Sequence, residues 1–393
     1  MAEPVSLEEA RRRFLAALPA GPAGGAPAAL AAALGRVLAL AACADRDLPP
    51  FDRSLVDGFA VRCGGAARPT LAGAVAMGGA APTLPADGAI AVPTGGMIPD
   101  GADAVVMQEH VTVGDGWVEI HRPPVPEQNI VRRGSDAAAG DVVVPAGARL
   151  RPPEIAMLGT VGVGRVRVRP RPRIAVLSTG DELAPVGVQP RLGQVPDSNA
   201  PALCAALQRD GAKPVFLGIV PDARVAVVKA VRRGLRYDAL VCTGGSSVGE
   251  RDYVQGALEE VLGAPPLFSG ISIRPGRPTA AFVVGGQWAV ALPGHAVSAL
   301  VVYEVLLREV ILRFGGETNP RLRGTVQVTL AAEVRAPADR DLFERVRIDD
   351  GRAVPLRGPA ATVGNLARAD ALVRCAAGQV LEAGTSVQAL VLD

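Results

Sequence analysis

Between residues 173 and 314, short apolar runs alternate with amphipathic stretches, and this alternation limits the possible folds more than any other feature of the chain. RIAVLST, KPVFLGIV, DALVCTGG and WAVALP read as buried strands. DSNAPALCAALQRDG, DARVAVVKAVRRG, RDYVQGALEEVLG and AVSALVVYEVLLREVILRF read as helices, the first capped by Asp197 or Ser198 and ended by Gly211. Continuous apolar strands joined by helices predict a parallel sheet covered on both faces, an α/β domain over 173–318.

The flanking sequence has other periods. Residues 1–45 carry an Ala- and Leu-rich helical pattern, with Ser6 and Glu9 spaced as a capping box. From 46 to 140 short apolar runs are broken by Gly, Pro and Asp, which predicts a β-rich inserted domain. The segments 1–45 and 141–172 are each too small to hold a core, so they are expected to pair as one discontinuous N-terminal domain. Short alternating strands over 319–393 predict a small β-barrel or sandwich. The 393 residues thus make an α/β multidomain chain, with cores of Ala, Val and Leu, since aromatics are only 3% of it.

A net charge of +2 gives no global reason to expect nucleic acid, and the arginine runs at 11–13, 165–173 and 232–236 lack interleaved aromatics. No apolar run approaches the roughly 18 residues of a membrane span, and the N-terminus lacks a basic-then-apolar leader. A cytoplasmic protein is expected, without nucleic-acid or membrane partners. The five cysteines are odd in number and widely spaced, which argues against a disulfide framework or zinc knuckle.

The chemistry concentrates in five polar, glycine-bearing segments: FDRSLVDGFAVR (51–62), TGDEL (179–183), TGGSSVGERDY (243–253), RPGRP (274–278) and LPGHAVSA (292–299). In FDRSLVDGFAVR, Asp52, Ser54 and Asp57 accompany Gly58, which suits a turn of positive φ or a close approach to a ligand. The other four fall at strand ends of the α/β domain, where ligands bind in parallel sheets. Thr243, Gly244 and Gly245 offer backbone N–H groups to a phosphate, with Ser246 and Ser247 as hydroxyl donors. Asp181, Glu182 and Asp252 bring carboxylates to the same edge, joined by Asp57 from the inserted domain, and such oxygen ligands suit Mg²⁺. Asp181 and Asp252 also read as caps, and Glu182 as surface charge. Arg274 and Arg277 flank Pro275-Gly276, a turn that presents two permanent cations to an oxyanion or to solvent. Neither GxxxxGK[ST] nor GxGxxG is present.

In this order and over nearly the whole chain, the segments resemble the molybdopterin molybdenumtransferase family. The resemblance implies an enzyme that inserts molybdate into adenylated molybdopterin, with Mg²⁺-dependent release of AMP. It implies functional roles for Asp57, Thr94, Glu182, Asp222 and Asp252, with Glu182 and Asp252 toward the metal. Thr243, Gly244, Gly245, Ser247, Arg274, Arg277, Pro293 and His295 fall to substrate binding. It further implies a homodimer whose cleft joins the α/β domain of one subunit to the inserted domain of the other. Molybdopterin adenylyltransferase and molybdoenzyme maturation proteins are candidate partners. Cys242 then reads as a packed thiol or as a thiolate ligand to molybdenum.

The chain departs from the family pattern at three places. Arg274 and Arg277 replace the lysines of KPGKP, LPGHAVSA replaces LPGNPVSA, and Arg53 replaces Asn. His295 can accept one hydrogen bond and donate another, as the family's asparagine amide does. Two other readings stand beside the transferase: a molybdopterin adenylyltransferase, disfavoured by the inserted and C-terminal segments, and a non-catalytic paralogue that binds pterin or a partner protein.

Overall fold

The computed structural model describes residues 3–244, 253–356 and 362–392. Its central sheet runs in the order Lys213–Val220, Arg173–Thr179, Ala239–Thr243, Gln287–Leu292, Ala280–Val284, Phe268–Ser269. The first four strands are parallel, as their apolar runs predict. The sheet is nevertheless mixed. Ala280–Val284 lies antiparallel to Gln287–Leu292 because Gly285 and Gly286, at φ +58° and +83°, close a tight hairpin that leaves no room for a crossover helix.

Alternate residues of each strand supply the two faces. Ile174, Val176 and Val241 pack with Leu203 and Leu207 of the helix Asn199–Arg209, and with the C-terminal helical run 296–314. Ala175, Leu177, Leu240 and Cys242 pack with Val227 and Val231 of Arg224–Gly234, and with Val254 and Leu258 of Tyr253–Leu262. The run 296–314 is predicted as one α-helix, but a π-helical turn at Tyr303–Leu307 interrupts it.

The amphipathic helix Leu7–Ala17 packs on this sheet, whereas residues 26–43 pair with strands at 142–168. Phe14 meets Trp288 edge-on at 5.6 Å, and Trp288 meets Phe314 at 5.5 Å. Each such aromatic pair adds roughly 1 kcal/mol beyond its burial. Ser6 accepts the N–H of Glu9, but Glu9 turns its carboxylate to Arg12 and Arg13, so only half of the capping box forms.

The β-rich insertion is a six-stranded mixed sheet with Gly58–Val61 between Ala104–Met107 and Gly88–Val92. In the C-terminal region five strands close into a barrel: Asp341–Asp349, Arg352–Pro355, Thr325–Leu330, Ser386–Val391 and Ala371–Cys375, the last pairing back with the first. Among the described residues no helix is long and apolar enough to cross a membrane.

Candidate functional site

The parallel strands end together at Thr179, Val220, Thr243 and Leu292, so TGDEL, Asp222, Gly244 and LPGHAVSA share one edge. Ala280 pairs with Ala291, which brings the RPGRP turn to that edge as well. Gly245, Ser246, Ser247 and Asp252 lie outside the described residues.

The loops are tied to one another. Asp181 accepts the N–H of Asp222 at 3.2 Å, and the N–H of Gly180 is donated to Val220 O at 3.2 Å. Asp181 therefore acts on the geometry of the half-buried Asp222, a bond between loops that the capping reading did not anticipate. Glu182 is exposed, and its carboxylate folds back over Gly180, where a Cβ would stand 2.6 Å from Oε2. Gly244, at φ +93°, has no space for a side chain: a Cβ would lie 2.1 Å from Thr179 O. Gly294 lies close to it, since a Cβ there would stand 3.5 Å from the Cα of Gly244. Thr243 is 1% exposed with its hydroxyl turned inward to Ser178, so its described contribution is the strand end.

A buried pair missed by sequence reasoning lies beside these loops. Asp197 caps the helix Asn199–Arg209, its Oδ1 accepting the N–H groups of Asn199 and Ala200 at 3.1 Å each; Ser198 makes no capping bond. Asn199 donates Nδ2–H to Gly294 O at 2.7 Å. Asp197 is 3% exposed and Asn199 6%, yet among the described residues Asp197 Oδ2 and Asn199 Oδ1 have no partner. A buried acceptor without a donor costs about 1–3 kcal/mol. The signal was DSN directly before a helix, which reads as a cap and nothing more.

At the RPGRP turn Pro275 and Gly276 are buried and Arg274 and Arg277 exposed. Gly276 has φ +122°, and a Cβ there would stand 2.5 Å from a Val302 methyl, so glycine is required. Arg277 has a carboxylate neighbour, Asp339, at 3.8 Å. Ile273–Arg274 pairs with the barrel strand Asp341–Asp349, which also carries Arg345. Arg345 is 6% exposed, and among the described residues its Nε and Nη1 have no acceptor. Sequence reasoning missed it, since an arginine in an alternating strand reads as the solvent face.

His295 is exposed at the start of the helix Ala296–Val302 and makes no capping bond, while Pro293 is buried. Cys242 is fully enclosed, and burial pushes its thiol up to about 12, so it is protonated at neutral pH. Its place inside the apolar cluster formed with Leu177, Val231 and Leu258 favours the packed-thiol reading of Cys242.

In the insertion, Asp57 Oδ1 accepts the backbone N–H of Thr94 at 2.7 Å, and both residues are exposed. Ser54 is structural: its buried hydroxyl donates to Val56 O at 2.6 Å. Burial would raise the carboxyl of Asp52, but the Arg133 N–H and the Arg132 guanidinium outweigh it and hold it below its ordinary range. Gly58 has no positive φ. It is needed because a Cβ would stand 2.1 Å from Val106 O on the neighbouring strand. Among the described residues, no hydrogen bond or ion pair joins Asp57 or Thr94 to the loops of the α/β sheet.

Among the described residues no cluster of three or more His, Cys, Asp or Glu side chains stands ready for a metal. Mg²⁺ commonly takes one or two protein carboxylates and fills its shell with water and phosphate, a need that the exposed Glu182 can meet.

Three family models match in chain order: the MoeA N-terminal region (domain I and II) at 5–162, a probable molybdopterin binding domain at 175–313, and the MoeA C-terminal region (domain IV) at 327–392. A molybdopterin molybdenumtransferase of Haemophilus influenzae is 35% identical, over 80% of this chain and 78% of its own. One from Bacillus subtilis is 30% identical over 93% and 89%. A solved structure of the molybdopterin biosynthesis MoeA protein from Pyrococcus horikoshii superposes with a TM-score of 0.84 at 25% identity, covering 99% of this chain and 100% of that one. A second, at 29% identity, gives 0.78 with both chains covered in full. Family models matched in order along nearly the whole chain, and relatives 30–35% identical over most of both chains, show that the chain belongs to the molybdopterin molybdenumtransferase family of enzymes.

Proposed function

We propose that this enzyme inserts molybdate into adenylated molybdopterin and releases AMP, with Mg²⁺ bound at the α/β edge through Glu182 and Asp252. The observation that carries the reading is the gathering of TGDEL, Asp222, Gly244, RPGRP and LPGHA at one edge of one sheet. Gly244 keeps that edge free of side-chain bulk, which suits a phosphate. Arg274 and Arg277 are exposed cations suited to an oxyanion. When bound, Mg²⁺ would neutralise charge on the phosphate that leaves. Asp181 fixes the loop of Asp222 through its N–H. We further propose a cytoplasmic homodimer in which Asp57 and Thr94 reach the α/β edge of the partner subunit. The arginines of RPGRP and the His295 turn are read as variations on the same binding surface.

The test is incubation of the purified protein with molybdopterin adenylate, molybdate and Mg²⁺, reading AMP and active cofactor by reconstitution of an apo-molybdoenzyme. Equal yields of AMP and cofactor are expected, both lost on chelation. Adenylate synthesis from ATP and molybdopterin would favour the adenylyltransferase reading, and binding without turnover the non-catalytic one.

A further inference from the structure

Among the described residues, Asp197 Oδ2 and Asn199 Oδ1 are buried acceptors at this edge without a partner. They are close to the site by construction. The Asn199 amide is anchored to the carbonyl of the exposed Gly294, and Asp197 holds the N–H of Asn199. The segment before them is stitched to TGDEL: Val195 donates its N–H to Glu182 O at 2.8 Å, and Asp197 to Ala184 O at 2.9 Å.

Resting on the pterin reading of this edge, we propose that Asp197 Oδ2 and Asn199 Oδ1 recognise the amino edge of the pterin, where the 2-amino group and N3–H stand side by side as donors. Two acceptors match two donors. The edge of adenine pairs a donor with an acceptor, which would leave one of the two oxygens facing another lone pair. A cation fits less well, because the helix N-terminus is the positive end of the dipole and Asp197 already spends one oxygen on its N–H groups. Ligand entry shifts the exposed Gly294–His295 turn, and the pterin donors then satisfy both oxygens.

The test compares binding of pterin-6-carboxylate, followed by its fluorescence, with that of lumazine-6-carboxylate, which has a carbonyl in place of the 2-amino group. The native protein should prefer the pterin by about tenfold or more, as expected when a site built for an N–H meets an analogue without it. Asp197→Ser keeps a hydroxyl to cap the helix but removes the free acceptor, and should bring the two affinities to within about twofold. Asn199→Asp retains an acceptor and should keep the preference. If Asp197→Ser does not fold, Asp197→Asn supplies the same test, since its amide oxygen must keep the cap on the N–H groups of Asn199 and Ala200 and its NH2 then stands in place of Oδ2. Equal native affinities, an undiminished preference in the Asp197 variants, or no binding of either probe would overturn the proposal. Turnover of molybdopterin adenylate is measured on the same samples. Its absence alongside a clear pterin preference would sink the transferase reading and leave this one standing.

Discussion

The Asp57 carboxylate takes the backbone N–H of Thr94 at 2.7 Å, joining two segments 37 residues apart into one exposed acidic corner of the insertion. Because the bond runs to the backbone of Thr94, an asparagine at 57 can still accept it. Asp57→Asn thus isolates the charge from the geometry. Turnover is expected to fall by on the order of a hundredfold, as when a preorganised catalytic charge is removed, with the melting temperature nearly unchanged. Activity within about threefold of native would remove the Asp57 charge from the chemistry.

Asp181 is a positioning residue, since its described bond runs to the N–H of Asp222. Asp181→Ala should raise KM or lower kcat by roughly tenfold, about 1.4 kcal/mol, while Asp181→Asn, which can still accept the bond, recovers most of the loss. Equal loss in both variants would point to a direct role for the charge.

Gly244 has both a left-handed φ and a carbonyl where its Cβ would be. Gly244→Ala should destabilise the protein by about 1–3 kcal/mol and displace the loop beside it, read as a lower melting temperature and weaker adenylate binding together. Gly35, also at positive φ but with open space around it, serves as the control for backbone strain without a clash.

Asp52 supplies a pH dependence of known sign. Its folded pKa lies below the ordinary 3.8, so its stabilisation is fully present above that value and is lost as pH falls through the folded pKa. Asp52→Asn should lower stability at pH 7 by on the order of 1 kcal/mol, allowing for partial exposure. The gap between native and variant melting temperatures should close below about pH 3.8. A gap independent of pH would assign the loss to packing.

What the sequence made legible was local. Apolar runs and glycine turns announce the strands ending at Thr179, Val220, Thr243 and Leu292, and sheet rules place the loops after them at one edge. Partners distant along the chain were not legible. The pattern of Leu7–Ala17 marks an amphipathic helix but cannot say that Phe14 meets Trp288. Closure of the barrel depends on Asp341–Asp349 pairing with Ala371–Cys375, which no local period encodes. Asp197 reads as a cap and is one, but its free second oxygen is a property of three-dimensional packing, as are the unpaired N–H groups of Arg345. The antiparallel course of Ala280–Val284 was not legible either, because a buried apolar run looks alike in either direction.

In the proposed homodimer, Asp57 of one chain and the α/β edge of the other act on one substrate. Asp57→Asn and Glu182→Gln proteins, each inactive alone, are mixed under conditions of demonstrated subunit exchange and assayed with molybdopterin adenylate and molybdate. Heterodimers then hold one intact site of two, so activity is predicted to reappear, approaching about a quarter of the native level if exchange is random and each site acts independently. Full exchange with no recovery of activity would contradict a site shared between subunits.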